Sequence, residues 1–486
     1  MTHFLNPSYA TPADLKGRRV LVVGLGESGL AMAKWLHQQQ ACIAFVDTRA
    51  EPPGVQALLS HVPEAERRCQ GEFLDAAAID RCLTDVDLLA LSPGVAFDHP
   101  LVVSAKARGI AIWSEIDCFA VARTARCPQS KVLAITGANG KTTTTALTAH
   151  ILNVAGVDAV ACGNISPSAL DAFMAREARG QWPDVWVLEL SSFQLEATCH
   201  LHSDAAIILN LSEDHLDRHY TMAGYAAAKS RIYEDCAHPL WNRADLWADA
   251  YGLDQKKAQS IGDDAPVSAK DFGLSNGQIM LGESSIVALD ALPLLGRHNA
   301  LNVQAALALA AQVLPADKAL ADLLPGVLSF KSLPHRVALV ATLDGVRYVD
   351  DSKATNVGAT LAAIDGLFDG VSGKLAIVLG GESKGQDFAP LAEPVARAGR
   401  AVALIGKDAE AIGKLLPKTI PVARFNDLPS ATRWLADKAQ PGDTVLLSPA
   451  CASLDMFRNY AERAQVFIDT VKTLTSGAPV KDGRAA

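Results

Sequence analysis

Short apolar runs alternate with helical patterns along nearly the whole chain, which has 486 residues. Near the N-terminus, the run 19–23 ends in a glycine-rich turn, a helical pattern covers residues 30–40, and a second run covers 42–46. Strands that alternate with helices predict β-α-β units and a parallel sheet. Further apolar runs at 86–91 and 110–113 extend this first sheet.

The alternation starts again after a short polar segment, residues 122–130, which contains a proline and is interpreted as a linker. An apolar run at 131–135 is followed by a glycine-rich loop and by a helical pattern over residues 143–154. Further strands are predicted at 185–190 and 205–209. These elements predict a second parallel sheet.

The remaining chain adds an irregular segment, a long helix and a third set of strands. Residues 255–286 resemble a small β-rich insertion, and residues 300–313 show an alanine-rich helical pattern. Apolar strands of the third unit are predicted at 376–379, 402–405 and 444–447. Each of them leads into a glycine or polar loop, which again predicts an α/β unit.

Together the patterns predict an α/β protein of three domains, a number that suits the chain length at roughly 150 residues per domain. The N-terminal domain, residues 1–127, is predicted to be Rossmann-like. The central domain, residues 128–331, is predicted to be a P-loop ATPase-type parallel sheet with a small β insertion. The C-terminal domain, residues 332–486, is again predicted to be Rossmann-like.

Composition and charge exclude several classes of function. The net charge of -9 argues against a general nucleic-acid binder, which is usually basic. The 9 cysteines include no C-x-x-C pair, so reduced thiols are expected rather than a disulfide framework or a zinc site. No signal peptide is predicted, and no apolar run approaches the roughly 20 residues that span a bilayer. We therefore expect a cytoplasmic protein without nucleic-acid or membrane partners.

The glycine-rich loop after the run 131–135 carries the strongest chemical signal. Its residues are Gly137, Ala138, Asn139, Gly140, Lys141, Thr142 and Thr143. Glycines let backbone N–H groups turn toward a phosphate, and the N-terminus of the following helix adds positive potential. Lys141 is placed to reach the terminal phosphates of ATP, and the hydroxyl of Thr142 is placed to ligate magnesium. The usual P-loop pattern has a further glycine where this chain has Ile135.

Two strand ends in the central domain supply candidate metal ligands. Glu189 lies at the end of an apolar strand, where a buried carboxylate is costly unless it is paired or coordinated. His215 follows the next predicted strand. Taken alone, His215 is equally well interpreted as a loop histidine, but its place beside two other candidate ligands favours a metal role. We predict Mg²⁺ at this edge of the sheet.

Several motifs along the chain resemble those of the Mur ligase family. They lie, in order, at residues 136–143, 189–196, 213–219, 296–302, 333–336 and 351–356. Two further motifs, at residues 380–388 and 447–457, resemble those of the family member that adds D-glutamate. The resemblance extends over nearly the whole chain and implies an ATP-dependent ligase with three domains.

The resemblance implies that the first domain binds a UDP-sugar. The implied contacts to this substrate are Glu27, Ser28, Asp47, Thr48, Arg49, Asn164, Ser191 and Gln194. The turn at 24–29 has the form G-x-G-x-x-G, and Asp47 lies about where a dinucleotide site has its ribose-binding acid. On its own this turn favours a nicotinamide dehydrogenase, and the phosphate loop downstream reverses that preference.

The resemblance also implies two Mg²⁺ ions, with Thr142 and Glu189 around one and His215 near the second. Lys229 matches a lysine that CO2 carbamylates, which turns an ammonium into an anion able to support a metal. From sequence alone, Lys229 is simply a helix lysine. The further nucleotide contacts implied are Asn299, Asn302, Arg336, Asp351 and Lys353.

The third domain is implied to close on ATP and to hold the amino acid. His335 and Arg336 match a hinge, and Arg336 would stabilise charge on the γ-phosphate. The residues that match the D-glutamate region are Thr355, Lys384, Ser453 and Tyr460. Two positions depart from the pattern of the relatives, Ala338 after the hinge and Arg243 in the central domain.

The implied reaction joins D-glutamate to UDP-MurNAc-L-alanine through an acyl phosphate and releases ADP and phosphate. Its implied catalytic residues are Lys141, His215, Lys229 and Arg336, and a monomer is expected. Three alternatives remain in view: a folyl-polyglutamate synthase-like ligase, an NAD-dependent oxidoreductase fused to an ATPase, and a nucleotide-binding switch without transfer chemistry. The UDP-type first domain argues against the first, and the series of ligand candidates around the loop argues against the third.

Overall fold

A computed structural model of the chain describes residues 12–71, 75–294, 296, 298–368, 373–383 and 385–475. The first domain holds a parallel sheet with the strand order β3-β2-β1-β4-β5. Its elements are β1 (Arg19–Val23), α1 (Glu27–Gln38), β2 (Cys42–Asp47), α2 (Val55–His61), β3 (Glu66–Gln70), α3 (Ala76–Leu83), β4 (Leu88–Leu91), α4 (Pro100–Ala107), β5 (Ala111–Trp113) and α5 (Glu115–Arg126). The central strands are continuously apolar and buried because helices cover both faces of the sheet.

The central domain is built on a second parallel sheet, with the order β11-β10-β9-β6-β8-β7, and on the small antiparallel sheet β12-β13-β14. Its elements are β6 (Lys131–Thr136), α6 (Lys141–Val154), β7 (Ala159–Gly163), α7 (Ala169–Arg179), β8 (Val185–Glu189), α8 (Ser192–Ala197), β9 (Ser203–Ile208), α9 (Leu216–His219), α10 (Met222–Ser230), β10 (Cys236–Asn242), β11 (Gln259–Ile261), β12 (Phe272–Ser275), β13 (Gln278–Leu281), β14 (Ser284–Ala288), α11 (His298–Ala311) and α12 (Leu324–Ser329). β9, β6 and β8 are neighbours, so their carboxyl ends meet at one edge.

The third domain has the strand order β15-β16-β20-β17-β18-β19, parallel except for the β15–β16 hairpin. Its elements are β15 (Ala338–Leu343), β16 (Val346–Asp350), α13 (Val357–Leu367), β17 (Leu375–Gly380), α14 (Ala392–Ala398), β18 (Gly399–Ile405), α15 (Ala409–Leu415), β19 (Val422–Arg424), α16 (Leu428–Lys438), β20 (Thr444–Leu447) and α17 (Tyr460–Thr475). The hairpin was not predicted, although its Asp344-Gly345 turn, with φ of +48° and +79°, is a hairpin signal. The predicted α/β fold with parallel sheets is confirmed.

The interpretation of residues 122–130 as a linker is wrong over its first half, because α5 continues to Arg126. The segment stays helical since Ala122 is buried and the guanidinium of Arg123 donates to the carbonyl oxygen of Ser130, at 3.1 and 2.7 Å. The core of the first domain continues directly into the central domain. The ring of Phe119 packs edge-on against that of Trp186 at 5.3 Å.

Asp117 joins the first domain to the central domain through one buried carboxylate. Its Oδ1 accepts from the backbone N–H groups of Cys199 (2.7 Å) and His200 (2.8 Å). Its Oδ2 accepts from the N–H and the hydroxyl of Ser114, both at 2.9 Å, and completes the capping box of α5. A carboxylate with both oxygens in use fixes this joint as a rigid unit.

Replacing Asp117 with alanine is expected to destabilise the chain by about 3 kcal/mol, because three backbone N–H groups lose a fully buried carboxylate as their acceptor. The measurement is the first unfolding transition of the full chain in urea. Asp75→Ala is the matched control, since Asp75 is an exposed N-cap whose side chain accepts from the N–H of Ala78, and its loss should cost about 1 kcal/mol. Equal losses in the two variants would contradict the proposed joint.

Candidate active site

The phosphate loop connects β6 to α6 at the carboxyl edge of the central sheet. Gly140 caps α6 with φ +83°, and a Cβ at this position would lie 2.6 Å from Oδ1 of Asn302, so only glycine fits without strain. Nζ of Lys141 donates to the carbonyl oxygens of Gly137 (2.9 Å) and Ala138 (2.8 Å). Burial lowers the pKa of Lys141 from its ordinary value. The ammonium is thus held against the loop at the N-terminus of α6, where an anionic group of a ligand would be stabilised.

Glu189 ends β8 directly beside the phosphate loop, in register with Ile135 of β6. The residue is 2% exposed, and its Oε1 accepts from Nδ2 of Asn164 at 2.9 Å. Within the described part of the chain, its Oε2 is buried and has no hydrogen-bond partner. A buried carboxylate oxygen of this kind is costly unless a cation coordinates it. The geometry therefore fits a metal ligand.

Lys229 lies beneath the phosphate loop rather than on the surface of α10. It is 1% exposed, and its Nζ donates to Oγ1 of Thr136 and to the carbonyl oxygen of Gly137, both at 3.0 Å. Burial lowers the pKa of Lys229 well below its ordinary value, and the charge of Lys141 lowers it further. A buried amine with a depressed pKa is a nucleophile near neutral pH.

His215 lies at the carboxyl edge of the same sheet, after β9. Its backbone has φ +54°, and its Nε2 lies 3.6 Å from Oδ2 of Asp214. The imidazole packs edge-on against the ring of Phe193, with centroids 4.8 Å apart. His215 and Glu189 therefore flank the phosphate loop from its two neighbouring strands, β9 and β8.

The third domain contacts the phosphate loop directly. Nη2 of Arg336 donates to Oγ1 of Thr142 at 2.6 Å. Nδ2 of Asn356 lies 3.3 Å from both Oδ1 of Asn139 and Oδ2 of Asp214. These bonds join residues far apart in sequence and describe a closed arrangement of the two domains.

The backbone on both sides of Arg336 is unusual, because His335 and Val337 have φ of +65° and +49°. Nδ1 of His335 lies 2.7 Å from Oδ2 of Asp350, and the N–H of Val337 donates to Oδ1 of Asp351 at 3.3 Å. A β-branched residue at positive φ is strained and persists only where its surroundings hold it. The two aspartates at the end of β16 thus set the direction of Arg336.

A cleft of about 1420 Å³ lies between the central and third domains. The predicted site residues that line it are Ala138, Asn139, Gly140, Lys141, Thr142, Asn164, Glu189, His215, Arg336, Lys353, Thr355 and Tyr460. An adjoining pocket of about 600 Å³ is lined by the predicted residues Asn139, Gly140, Thr143, Asn299, Asn302, Arg336, Asp351 and Lys353. The structure therefore places most of the predicted phosphate, metal and nucleotide residues around two adjoining spaces.

Two charged groups of the third domain are strongly perturbed in these spaces. Burial raises the pKa of Asp351 to about 7, although the hydrogen bond that it accepts from Ser448 acts to lower the pKa. Burial, assisted by the charge of Arg336, lowers the pKa of Lys353 to about 8. Nζ of Lys353 lies 3.8 Å from the centroid of the Tyr460 ring. Perturbed groups of this kind cluster at functional sites.

The glycine turn of the first domain lines a separate pocket of about 1090 Å³, together with Glu27, Ser28, Asp47, Thr48 and Arg49. The carboxylate of Asp47 is already engaged, because it accepts from the N–H of Leu25 (2.7 Å) and from the side chain of Arg49 (2.8 and 2.7 Å). Burial alone raises the pKa of Asp47, but the hydrogen bonds from Arg49 and Leu25 lower it to about 2. Asp47 therefore fixes the glycine turn through the N–H of Leu25 and fixes the orientation of the Arg49 guanidinium.

Residues 92–96 and His99 complete the wall of this first-domain pocket, and sequence reasoning missed them. The hydroxyl of Ser92 donates to the carbonyl oxygen of Gly24 at 2.6 Å, which ties the loop to the glycine turn. The available signal was their position after β4, since ligands of parallel sheets bind at carboxyl strand ends.

Five predicted residues do not line these pockets, and one more lies outside the described residues. Two of the five, Gly137 and Lys229, belong to the phosphate loop and to the space beneath it. Ser191 and Gln194 bond to each other in the capping box of α8. Ser453 is buried in the loop after β20, where its carbonyl accepts from the N–H of Phe457 at 2.8 Å. Lys384 is the residue outside the description, although its neighbours Ser383 and Gly385 line a small pocket with Thr355 and His215.

The donor set favours magnesium over a metal held by protein alone. Among the described residues, no group of three or more His, Cys, Asp or Glu side chains converges to hold a metal ion. Mg²⁺ commonly takes only one or two carboxylates and completes its shell with water and substrate phosphates. Glu189, whose Oε2 has no hydrogen-bond partner among the described residues, and Thr142 line the same cleft and fit that pattern.

Comparisons with known proteins agree with this geometry. Family models match three successive segments: the Mur ligase MurD-like N-terminal domain over 18–114, the Mur ligase middle domain over 135–310, and the Mur ligase glutamate ligase domain over 335–451. A protein of Dechloromonas aromatica (strain RCB), named UDP-N-acetylmuramoylalanine--D-glutamate ligase, is 53% identical over 95% of this chain and 100% of its own length. A protein of the same name from Aromatoleum aromaticum is 46% identical over 95% of this chain and 98% of its own length.

Solved structures share the fold at low sequence identity. MurF from Acinetobacter baumannii has a TM-score of 0.58 at 18% identity, over 92% of this chain and 93% of its own. A pseudomurein peptide ligase type C from Methanothermus fervidus has a TM-score of 0.57 at 18% identity, over 94% and 100%. Fold and cleft thus define a three-domain protein of the P-loop ATPase type. The chain belongs to the Mur ligase family.

Proposed function

We propose that this chain joins D-glutamate to UDP-N-acetylmuramoyl-L-alanine in an ATP-dependent reaction that gives an amide, ADP and phosphate. The name shared by relatives of 53% and 46% identity supports the substrates. The observation that carries the mechanism is the closed cleft, in which Arg336 of the third domain bonds to Thr142 of the phosphate loop at 2.6 Å. A ligase that must exclude water from an activated carboxylate needs such a closure.

The reaction follows from the poor leaving ability of oxide. A carboxylate oxygen of the UDP-substrate attacks the γ-phosphorus of ATP, the bond to the β–γ bridging oxygen breaks, and ADP leaves. The neutral amine of D-glutamate then attacks the acyl carbon, the bond from that carbon to the phosphate oxygen breaks, and phosphate leaves. The nitrogen releases one proton, which the leaving phosphate can take up, and an amide remains. Lys141 and Arg336 both line the cleft and would stabilise the charge that develops on the γ-phosphoryl oxygens.

Two Mg²⁺ ions are proposed beside the phosphate loop. Thr142 and Glu189 would hold the first, and His215 would lie near the second. When bound, the ions neutralise phosphate charge and orient the phosphoryl group. The first ion is supported by the buried Oε2 of Glu189, which has no hydrogen-bond partner among the residues that the structure describes.

Lys229 is proposed to carry a carbamate. Its neutral amine would attack CO2, forming an N–C bond and releasing one proton, and the product is an anion. Its Nζ lies 3.0 Å from Gly137 of the phosphate loop, so this anion would lie beside the nucleotide site. The depressed pKa supports the reaction because only the unprotonated amine is a nucleophile.

Substrate contacts are proposed for the remaining site residues. The nucleoside of ATP would lie against Asn299 and Asn302, with Asp351 and Lys353 contributing from the third domain. UDP would occupy the first-domain pocket beside Arg49. The residues proposed to contact the UDP-substrate are Glu27, Ser28, Asp47, Thr48, Arg49, Asn164, Ser191 and Gln194. The residues proposed to contact D-glutamate are Thr355, Lys384, Ser453 and Tyr460.

Lys384→Ala is expected to raise the KM for D-glutamate at least tenfold, because an ionic contact to a carboxylate is lost. The KM for ATP should stay within about twofold. Steady-state phosphate release with each substrate varied in turn is the measurement. Lys407→Ala is the matched control, since Lys407 pairs with Glu382 on the surface of the same loop region. An equal rise in both KM values would remove Lys384 from the glutamate site.

The proposed function is tested by phosphate release with UDP-MurNAc-L-alanine and a panel of D- and L-amino acids. We expect release with D-glutamate and a product whose mass corresponds to the added glutamyl group. Release that requires a folate acceptor would replace this proposal with a folyl-polyglutamate synthase-like activity. A substrate-dependent change in NADH absorbance would favour the oxidoreductase.

We also propose that the enzyme acts as a monomer in the cytoplasm, where ATP and UDP-linked substrates are found. The pockets proposed for UDP and for ATP are each lined by residues of a single chain, which supports a monomer. No helix in the described ranges is long and apolar enough to cross a membrane. The oligomeric state is measured directly by light scattering at working concentration.

A further inference from the structure

The segment 216–220, which follows His215, is hydrogen-bonded to loop 92–99 of the first domain, and this loop lines the proposed UDP pocket. Nη2 of Arg218, in α9, donates to the carbonyl oxygen of Val95 at 3.1 Å. The hydroxyl of Tyr220 donates to Oδ2 of Asp98 at 2.8 Å. Val95 and Asp98 belong to the first domain, whereas Arg218 and Tyr220 belong to the central domain, so two hydrogen bonds cross the domain boundary here.

Arg218 is itself held rigidly. Its Nε and Nη2 donate to Oε2 of Glu196 at 3.1 and 2.6 Å, and its side chain is 14% exposed. The guanidinium lies 4.8 Å from the centroid of the Phe193 ring. Glu196 also lies 3.2 Å from Nδ1 of His219, so the carboxylate fixes two neighbouring side chains. A planar guanidinium with bonded and stacked faces keeps one orientation.

The ring of Phe193 also contacts a residue of the cleft that is proposed to hold the γ-phosphate of ATP. Phe193 packs against the imidazole of His215 at 4.8 Å, and His215 lines the cleft with Lys141 and Glu189. A continuous set of packed groups therefore runs from the cleft through Phe193 and Arg218 to Val95 in the wall of the UDP pocket.

We propose that Arg218 is a positioning residue that sets the distance and orientation of the UDP pocket relative to the proposed γ-phosphate site. The inference rests on the proposed function, in which a carboxylate held by the first domain must meet the phosphorus of ATP in line. A misplacement of about 1 Å between reacting groups can lower a rate about a hundredfold. Arg218 prevents that misplacement by tying loop 92–99 to the segment that carries His215.

The test compares Arg218→Met with Arg231→Met in the full-length chain. Arg231 is a matched control because it also donates to backbone carbonyls near the end of α8, those of Leu195 (2.7 Å) and Thr198 (2.6 Å). None of the contacts described for it reaches loop 92–99. For Arg218→Met we expect the KM for UDP-MurNAc-L-alanine to rise about tenfold and kcat to fall about tenfold, with the KM for ATP within twofold.

For Arg231→Met we expect both KM values within twofold of the wild type. Tyr220→Phe should raise only the KM for the UDP-substrate, about twofold, since the bond to Asp98 is exposed. Unchanged kinetic constants in Arg218→Met, or an equal rise of both KM values, would overturn the inference. The inference would also be overturned if Arg218→Met lowered the unfolding temperature and the amount of active protein but left both KM values unchanged. A wild-type chain with no ligase activity would instead contradict the proposed function.

Discussion

Lys229→Ala is expected to lose ligase turnover by about a thousandfold, the effect of removing an electrostatic group placed beside the transferring phosphoryl group. The buried position of Lys229 beneath Gly137 is the reason for so large an effect. Formate or acetate should restore part of the activity of this variant, because a small carboxylate can occupy the volume that the side chain leaves. The measurement is kcat for phosphate release with increasing formate.

Two further variants separate the role of the carbamate from a role in packing. Lys229→Met keeps the apolar stem and should be as inactive as the alanine variant, but it should not respond to formate because no space is free. Lys270→Ala is the matched control, since Lys270 also donates to two backbone carbonyls but lies on the surface, and it should retain full activity. Failure of formate and acetate to restore Lys229→Ala would count against the carbamate.

Arg336→Ala is expected to lower kcat by about a thousandfold or more, the effect of losing an arginine that stabilises charge in phosphoryl transfer. Its contact with Thr142 comes from another domain, so this stabilisation exists only when the cleft is closed. Arg336→Lys should recover little, because an ammonium lacks the planar fork of the guanidinium. The measurements are kcat, and the dissociation constant of ATP from calorimetry.

The control for Arg336 is Arg347→Lys, which alters an arginine of the same domain that donates to Thr444 in the sheet, away from the cleft. It should leave kcat within about twofold, because Arg347 does not line the cleft. A normal kcat in Arg336→Ala, combined with weaker ATP binding, would show that Arg336 binds the ground state and does not act in phosphoryl transfer.

Local sequence was sufficient for the phosphate loop because its geometry is local. A strand, two glycines and a helix N-terminus lie within consecutive residues, and the positive φ of Gly140 is a property of that short segment. The neighbourhood of Glu189 and His215 required one more rule, that parallel strands end at the same edge of a sheet. The strand order β9-β6-β8 then brings both residues to the loop.

Packing between distant residues could not be predicted in this way. From its sequence, Lys229 is one helix lysine among others, yet its Nζ reaches Thr136 across 93 residues of sequence. The resemblance implies a substrate contact for Asp47, and only the structure adds that its carboxylate accepts from the N–H of Leu25 and from the side chain of Arg49. Both outcomes depend on which helix or loop packs against the strand end.

The sequence by itself determined the α/β class and the phosphate loop, because alternation of apolar runs and loop glycines act over a few residues. It also carried the resemblance to the Mur ligases, which the comparisons confirm. Only the tertiary structure decided that Arg336 meets Thr142 and that Arg218 meets Val95. These contacts join separate domains, and their distances depend on how whole sheets and helices pack, which no short stretch of sequence encodes.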